Sequence, residues 1–149
     1  MVKNSHRFEW FLEKATEIGV TEIIPLVCER TEKQHFRHDR MKGIVISAML
    51  QSQQVWLPIL HEPQKLLPVI QNSQQASKLI AHCERENDKQ PLSAIPQSED
   101  AIIIIGPEGD FSKQEIESAV QHKFIPVALG ITRLRTETAG IVAATLLRI

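Results

Sequence analysis

Two stretches of this chain carry residue types that can do chemistry. Ala101 to Ile105 is apolar at every position and runs straight into Gly106-Pro107-Glu108-Gly109, followed by Asp110-Phe111-Ser112. A loop leaving the carboxyl end of a buried strand is where open α/β sheets bind ligands, and glycines there let a ligand approach the backbone. The loop lacks the GK[ST] of a phosphate loop and the GxGxxG of a dinucleotide site, and Glu108 and Asp110 would repel phosphate. Its carboxylates suit a cationic or neutral ligand. On spacing alone, a plain structural turn and a ligand site both remain open.

The second stretch is "ALGITRLRTETAGIVAATLL". Leu129-Gly130 again puts glycine at a strand's carboxyl end, so two such loops can face each other across one crevice. Arg133 and Arg135 follow, just before a helix opened by Thr136 and Glu137. Two arginines there also suit a solvated loop. No metal is expected: Cys28 and Cys83 stand far apart, and the six histidines have no ligand spacing. His82, at a strand end, can at most line the crevice.

The elements that must position these loops follow from periodicity. Apolar residues at helical spacing predict helices at 6–18, 39–54 and 136–148, with Ser5 capping the first and Gly19 stopping it. Thr21 to Cys28 reads as a strand in which Pro25 demands an edge or a bulge. Residues 61–76 read as a connector with a helical piece at Leu66 to Ile70. Ser77 to Cys83 reads as a strand, 84–90 as a solvated loop and Ile125 to Leu129 as a strand. Ala101 to Ile105, apolar throughout, is expected to be a central parallel strand buried on both faces. Ser112 with Glu115 forms a capping box and Phe111 with Ile116 a hydrophobic staple, so a helix is expected over 112–123. The last helix is apolar nearly all round and must lie in a core or a subunit interface. Gly140 within it costs roughly 1 kcal/mol against alanine, which close packing can explain. Alternating strands and helices give an α/β class with a mostly parallel sheet.

Bulk properties bound the rest. The 149 residues suffice for one domain with a real core. Seventeen lysines and arginines against eighteen acids leave a net charge of −1, so any basic surface must be local. Arg30, Lys33, Arg37, Arg40 and Lys42 are such a group, read either as RNA contacts or as a solvated helix face. Neither a signal peptide nor a membrane span is expected, since no charged start leads into an apolar stretch and no apolar run is long enough, and the cysteine usage fits a reduced, cytoplasmic protein.

The combination "IIIIGPEGDFS" and "VALGITRLRTETA", with "RFEWFLEKATEIGVTEIIPLVCERTEK" and "SAMLQSQQVWLP" upstream, resembles the RsmE family, the 16S rRNA (uracil-N3)-methyltransferases of the SPOUT class. The resemblance covers nearly the whole chain. It implies a SPOUT fold whose carboxyl-terminal segment forms a deep trefoil knot, a rare exception to ordinary topology. It also implies S-adenosylmethionine as cofactor, a homodimer, and 16S rRNA of the small ribosomal subunit as partner. The family's amino-terminal PUA-like RNA-binding domain is not among these residues, so 1–149 reads as the catalytic domain alone.

Carried over, Ile105, Gly106, Pro107, Glu108 and Gly109 match the first cofactor loop. Leu129 and Gly130 match the second, and Leu134, Arg135, Glu137, Thr138 and Ala139 the third. Arg135 or Arg133 would stabilise charge spreading onto the uracil oxygens. Glu108 is the nearest carboxylate for a general base, with helix capping or arginine pairing as its alternative roles. Trp10 and Trp56 are read as core residues or interface residues. Asp110 replaces the family's common second glycine, which requires the left-handed region at some cost. Gln54 replaces a common basic residue. Methylation of another RNA or of a ribose hydroxyl, and a non-catalytic RNA-associated scaffold, are the alternative functions.

Overall fold

The computed structural model describes residues 5–31, 36–83 and 89–148. Lys33 and most of the expected 84–90 loop lie outside them. The described elements are helices α1 (Ser5–Ile18), α2 (His38–Gln51), α3 (Leu66–Asn72), α4 (Lys113–Gln121) and α5 (Thr136–Arg148), with eight short strands.

The main sheet is parallel throughout. It contains β5 (Ser77–Ala81), β6 (Gln90–Pro91), β7 (Ala101–Ile105) and β8 (Ile125–Ala128), in the order β6-β8-β5-β7. Strand alternation sends successive side chains to opposite faces. Ile80, Ile102 and Ile104 therefore meet α3 and α4 through Val69, Ile70, Ile116 and Ala119. Leu79, Ile103 and Ile105 face the other way, toward Ala143, Leu146 and Leu147 of α5. Helices thus cover both faces, which is why β7 is apolar at every position. Its expected central place is not observed: among the described residues β7 pairs only with β5 and stands at the edge of the ladder, and only Ile104 in it is fully buried.

The physical reason lies upstream. The expected 21–28 strand is split by Pro25 into β1 (Glu22–Ile23) and β2 (Leu26–Val27). These pair not with β7 but with β3 (Ile59–Leu60) and β4 (Gln64–Lys65), two strands inside or beside the expected connector. Proline has no N–H to give a ladder, so this segment meets the main sheet by side chains, with Ile24 and Leu26 in the cluster around Ile104.

A second layer joins α1 to α2 through Phe8, Leu12, Ala15, Met41 and Val45. Gly19 ends α1 at φ 105, and Val20 N–H returns to the Ala15 carbonyl at 3.1 Å. Helix α2 stops three residues short of Gln54. There Ser52 Oγ donates to the Ala48 carbonyl at 2.7 Å and Gln53 turns to φ 59. Trp10 and Trp56 are not core residues, being 43% and 44% exposed. Among the described residues no helix is long and apolar enough to cross a membrane.

Candidate functional site

The 106–110 segment is both a turn and a wall. Asp110 N–H closes it on the Pro107 carbonyl at 2.8 Å, with Asp110 at φ 64, in the left-handed region expected of it. Gly106 and Pro107 are buried, while Glu108 and Gly109 are exposed. A Cβ on Gly106 would sit 3.0 Å from Asp110 Oδ1 and 3.3 Å from the Phe111 backbone nitrogen, so the position admits no side chain without displacement.

Three long-range anchors fix this loop. Asp110 Oδ2 accepts from the Cys83 backbone N–H at 3.1 Å, tying it to the end of β5. Thr136 Oγ1 donates to the Gly106 carbonyl at 2.9 Å, tying it to the start of α5. Arg30 Nη1 donates to the Gly109 carbonyl at 3.0 Å. Arg30 therefore clamps the loop rather than lying on a solvated helix face. Arg40 hydrogen-bonds Glu9 at 2.6 Å, and Arg37 and Lys42 are exposed.

Behind the loop α4 is capped as expected. Glu115 N–H donates to Ser112 Oγ at 3.2 Å, and Ser112 N–H donates to Glu115 Oε1 at 2.8 Å. Phe111 and Ile116 share one buried cluster. Glu115 Oε2 also accepts from Glu29 N–H at 2.9 Å, which binds the cap to the Arg30 segment. The cap of α4 is thus complete without Glu108.

The loop forms one side of a cleft of about 740 Å³. Into it the fold brings Ile105, Gly106, Pro107 and Glu108 from the first motif, then Leu129, Gly130, Arg133, Leu134, Arg135 and Ala139 from the second. The two loops do face each other across one crevice at the carboxyl ends of β7 and β8. Gly109, Glu137 and Thr138 do not line it. Gly109 is held outward by Arg30. Helical periodicity explains Glu137: Thr136 and Ala139, three apart, face the cleft, which turns Glu137 and Gly140 toward α1.

Other residues reach the cleft without any motif. His82 and Cys83 arrive from the end of β5, Lys89 from beyond the next loop, and Arg7 from α1. Lys89 Nζ donates to the His82 carbonyl at 2.6 Å. Only a strand-end position hinted at His82, and nothing in the sequence signalled Arg7 or Lys89. The cleft thus gathers four cations (Arg7, Lys89, Arg133, Arg135) against Glu108 and Asp110, although the chain's net charge is −1. Ile105, Leu129, Leu134 and Ala139 supply apolar wall between the charged groups, and no Cβ contact obstructs Gly130. A cleft of this volume, walled by apolar and polar groups in similar measure, fits a nucleoside-sized ligand. Among the described residues no group of His, Cys, Asp or Glu can hold a metal ion.

Comparison with known proteins gives one direction. The family model described as an RNA methyltransferase domain matches residues 1–148. A ribosomal RNA small subunit methyltransferase E of Buchnera aphidicola is 29% identical, with all of this chain aligned to 63% of its length. A probable rRNA-methyltransferase of Porphyromonas gingivalis superposes with a TM-score of 0.90 at 41% identity, over 96% of this chain and 61% of that one. A ribosomal RNA small subunit methyltransferase E of Neisseria gonorrhoeae, solved bound to S-adenosyl methionine, superposes at 0.86 with 31% identity, over 97% of this chain and 60% of that one. The chain therefore spans about three-fifths of the length of these relatives.

Proposed function

Because this chain belongs to the RNA methyltransferase domain family, we propose that it transfers a methyl group from S-adenosylmethionine to N3 of a uridine in 16S rRNA of the small ribosomal subunit. The observation that carries the reading is the convergence of the GPEG loop and the 129–139 segment on one cleft that apolar side chains and four cations line together.

The cofactor would lie against Ile105, Gly106, Pro107, Leu129, Gly130, Leu134 and Ala139, all buried or half-buried but for the exposed Gly130, with backbone available to an adenine edge. When bound it supplies an electrophilic methyl on a sulfonium. Glu108, exposed on the cleft wall, attracts that positive charge or takes the N3 proton as general base. Arg135 and Arg133 stand across from it and would stabilise negative charge on the uracil oxygens as the proton leaves. Gly109, Glu137 and Thr138 act indirectly in this reading, by holding the loop and α5. The four cleft cations suit RNA phosphates, since neutralising phosphates is the main source of nucleic-acid affinity.

The same reading includes the knot and the homodimer. The Thr136–Gly106 bond draws the carboxyl-terminal segment against the GPEG loop, as threading would require. On helix α5, Ile141, Val142, Leu146 and Leu147 stay half-buried beside their contacts with α1 and the sheet, leaving apolar surface that a second copy would cover. A cytoplasmic location fits a ribosomal substrate.

Calorimetry with S-adenosylhomocysteine and methyl-transfer assays on deproteinised rRNA, small subunits and tRNA test the proposal. Binding and a 3-methyluridine product in small-subunit RNA are expected. Methylation of tRNA or of a ribose hydroxyl would redirect it, and cofactor binding with no transfer to any RNA would favour the scaffold alternative.

A further inference from the structure

Glu137 is buried in a manner that its motif does not explain. Its side chain is 8% exposed, Oε1 lies 3.8 Å from Arg7 Nε, and Oε2 finds no hydrogen-bond partner among the described residues. Burying a half-paired carboxylate is costly. The positive end of α5, whose first turn Glu137 occupies, offsets part of that cost. It does not explain why the carboxylate faces α1.

The helix contact one turn further on supplies the geometry. A Cβ on Gly140 would lie 2.5 Å from Phe11 Cε2, so α5 approaches α1 at a distance that only glycine permits. Arg7 and Phe11 are four residues apart on α1, and Glu137 and Gly140 three apart on α5. Each pair shares one helix face, so the Phe11–Gly140 contact places Arg7 opposite Glu137. Arg7 is also a wall residue of the cleft, with 41% of its side chain exposed, so it is open to solvent there although its Nε lies beside the buried Glu137.

What a cation there would meet follows from charge. S-Adenosylmethionine carries a sulfonium and an ammonium against one carboxylate and is itself positive, so a further cation is no asset to it. RNA is a polyanion. We propose that Arg7 is an RNA-phosphate contact on the wall of the cleft, and that Glu137 is a positioning residue that holds Arg7 there through the α1–α5 seam. The inference rests on the RNA methyltransferase reading above and adds to it a substrate contact from α1.

The test is binding of a fluorescein-labelled, uridine-containing single-stranded RNA to the chain with S-adenosylhomocysteine present, read by anisotropy across a salt series. Arg7→Gln should reduce the slope of log affinity against log salt by about one, so that the loss between 50 and 200 mM salt becomes roughly threefold smaller. Arg7→Lys should keep the slope. Glu137→Gln should weaken RNA binding in the wild-type background and add nothing in the Arg7→Gln background. Affinity for S-adenosylhomocysteine, which also reports folding, should be unchanged in both Arg7 variants. A wild-type slope in Arg7→Gln overturns the proposal. So does a weakened cofactor with unchanged RNA binding, which would assign Arg7 to the cofactor carboxylate. Glu137→Gln lowering the melting temperature equally in both backgrounds, with RNA binding intact, reduces Glu137 to a helix-end charge. If the wild-type chain binds no RNA, this inference and the functional reading fall together. If it binds and methylates RNA while Arg7→Gln matches it, this inference falls alone.

Discussion

Replacing Asp110 by glycine separates two effects that act on the GPEG loop in opposite directions. Asp110 sits at φ 64, where a side chain costs about 1 kcal/mol that glycine would relieve. Glycine also raises the entropy of the unfolded chain by an equivalent of roughly 0.4–1 kcal/mol, so the backbone effects nearly cancel. What remains is the acceptor. Asp110 is buried, and its Oδ2 takes the Cys83 N–H at 3.1 Å, so its loss leaves a donor unpaired at about 1–3 kcal/mol. The expected outcome for Asp110→Gly is a destabilisation of about 2 kcal/mol. For a chain of this size that lowers the melting temperature by roughly 4–8 °C. Asp110→Asn keeps an acceptor and tolerates the left-handed region, so its loss should stay under about 1 kcal/mol. Paired thermal and urea melts measure both variants, and calorimetry with S-adenosylhomocysteine measures whether the loosened loop loses ligand affinity. Asp110→Gly at or above wild-type stability, or Asn as damaging as Gly, would refute the reasoning, because the Cys83 bond would then not be what holds the loop.

Ser112→Ala removes the cap of α4 and should cost about 1 kcal/mol in urea unfolding. Gly140→Val drives a side chain into the Phe11 ring and should cost roughly 1–3 kcal/mol, with part recovered when Phe11→Leu is added. Failure of that rescue would show that the seam is not set by this contact. Cys28 is buried and its thiol is pushed up to about 11 by desolvation, so at neutral pH it has almost no thiolate. Cys83 is exposed beside the cleft, so maleimide should label it first, and S-adenosylhomocysteine should slow that labelling at a site mapped by mass spectrometry. A labelling rate unaffected by saturating ligand would place the ligand elsewhere.

Much of the fold was legible in local pattern. The helical period marked α1, α4 and α5 to within two residues at most of their ends, and the S-x-x-E cap with its Phe111–Ile116 staple formed as written. The two motif loops were legible as strand ends bearing glycine, and their shared cleft follows from the parallel sheet. The misses have a common cause. The two-residue strands β3, β4 and β6 have too few residues to show a period, and they exist only because a partner strand lies beside them. The edge position of β7 was hidden because helices on both faces impose the same apolar run on an edge strand as on a central one.

By itself, then, the sequence determined the helices and the longer strands β5, β7 and β8, where glycine is required, and the two motif loops that could surround a ligand. These depend on propensity, periodicity and capping, which act over a few residues. The tertiary structure decided which of those residues meet. It put Arg30 on Gly109, Cys83 on Asp110 and Thr136 on Gly106, brought Arg7 and Lys89 to the cleft, and turned Glu137 and Thr138 away from it. Those contacts join residues far apart in the chain, so packing and helix phase set them and no local pattern encodes them.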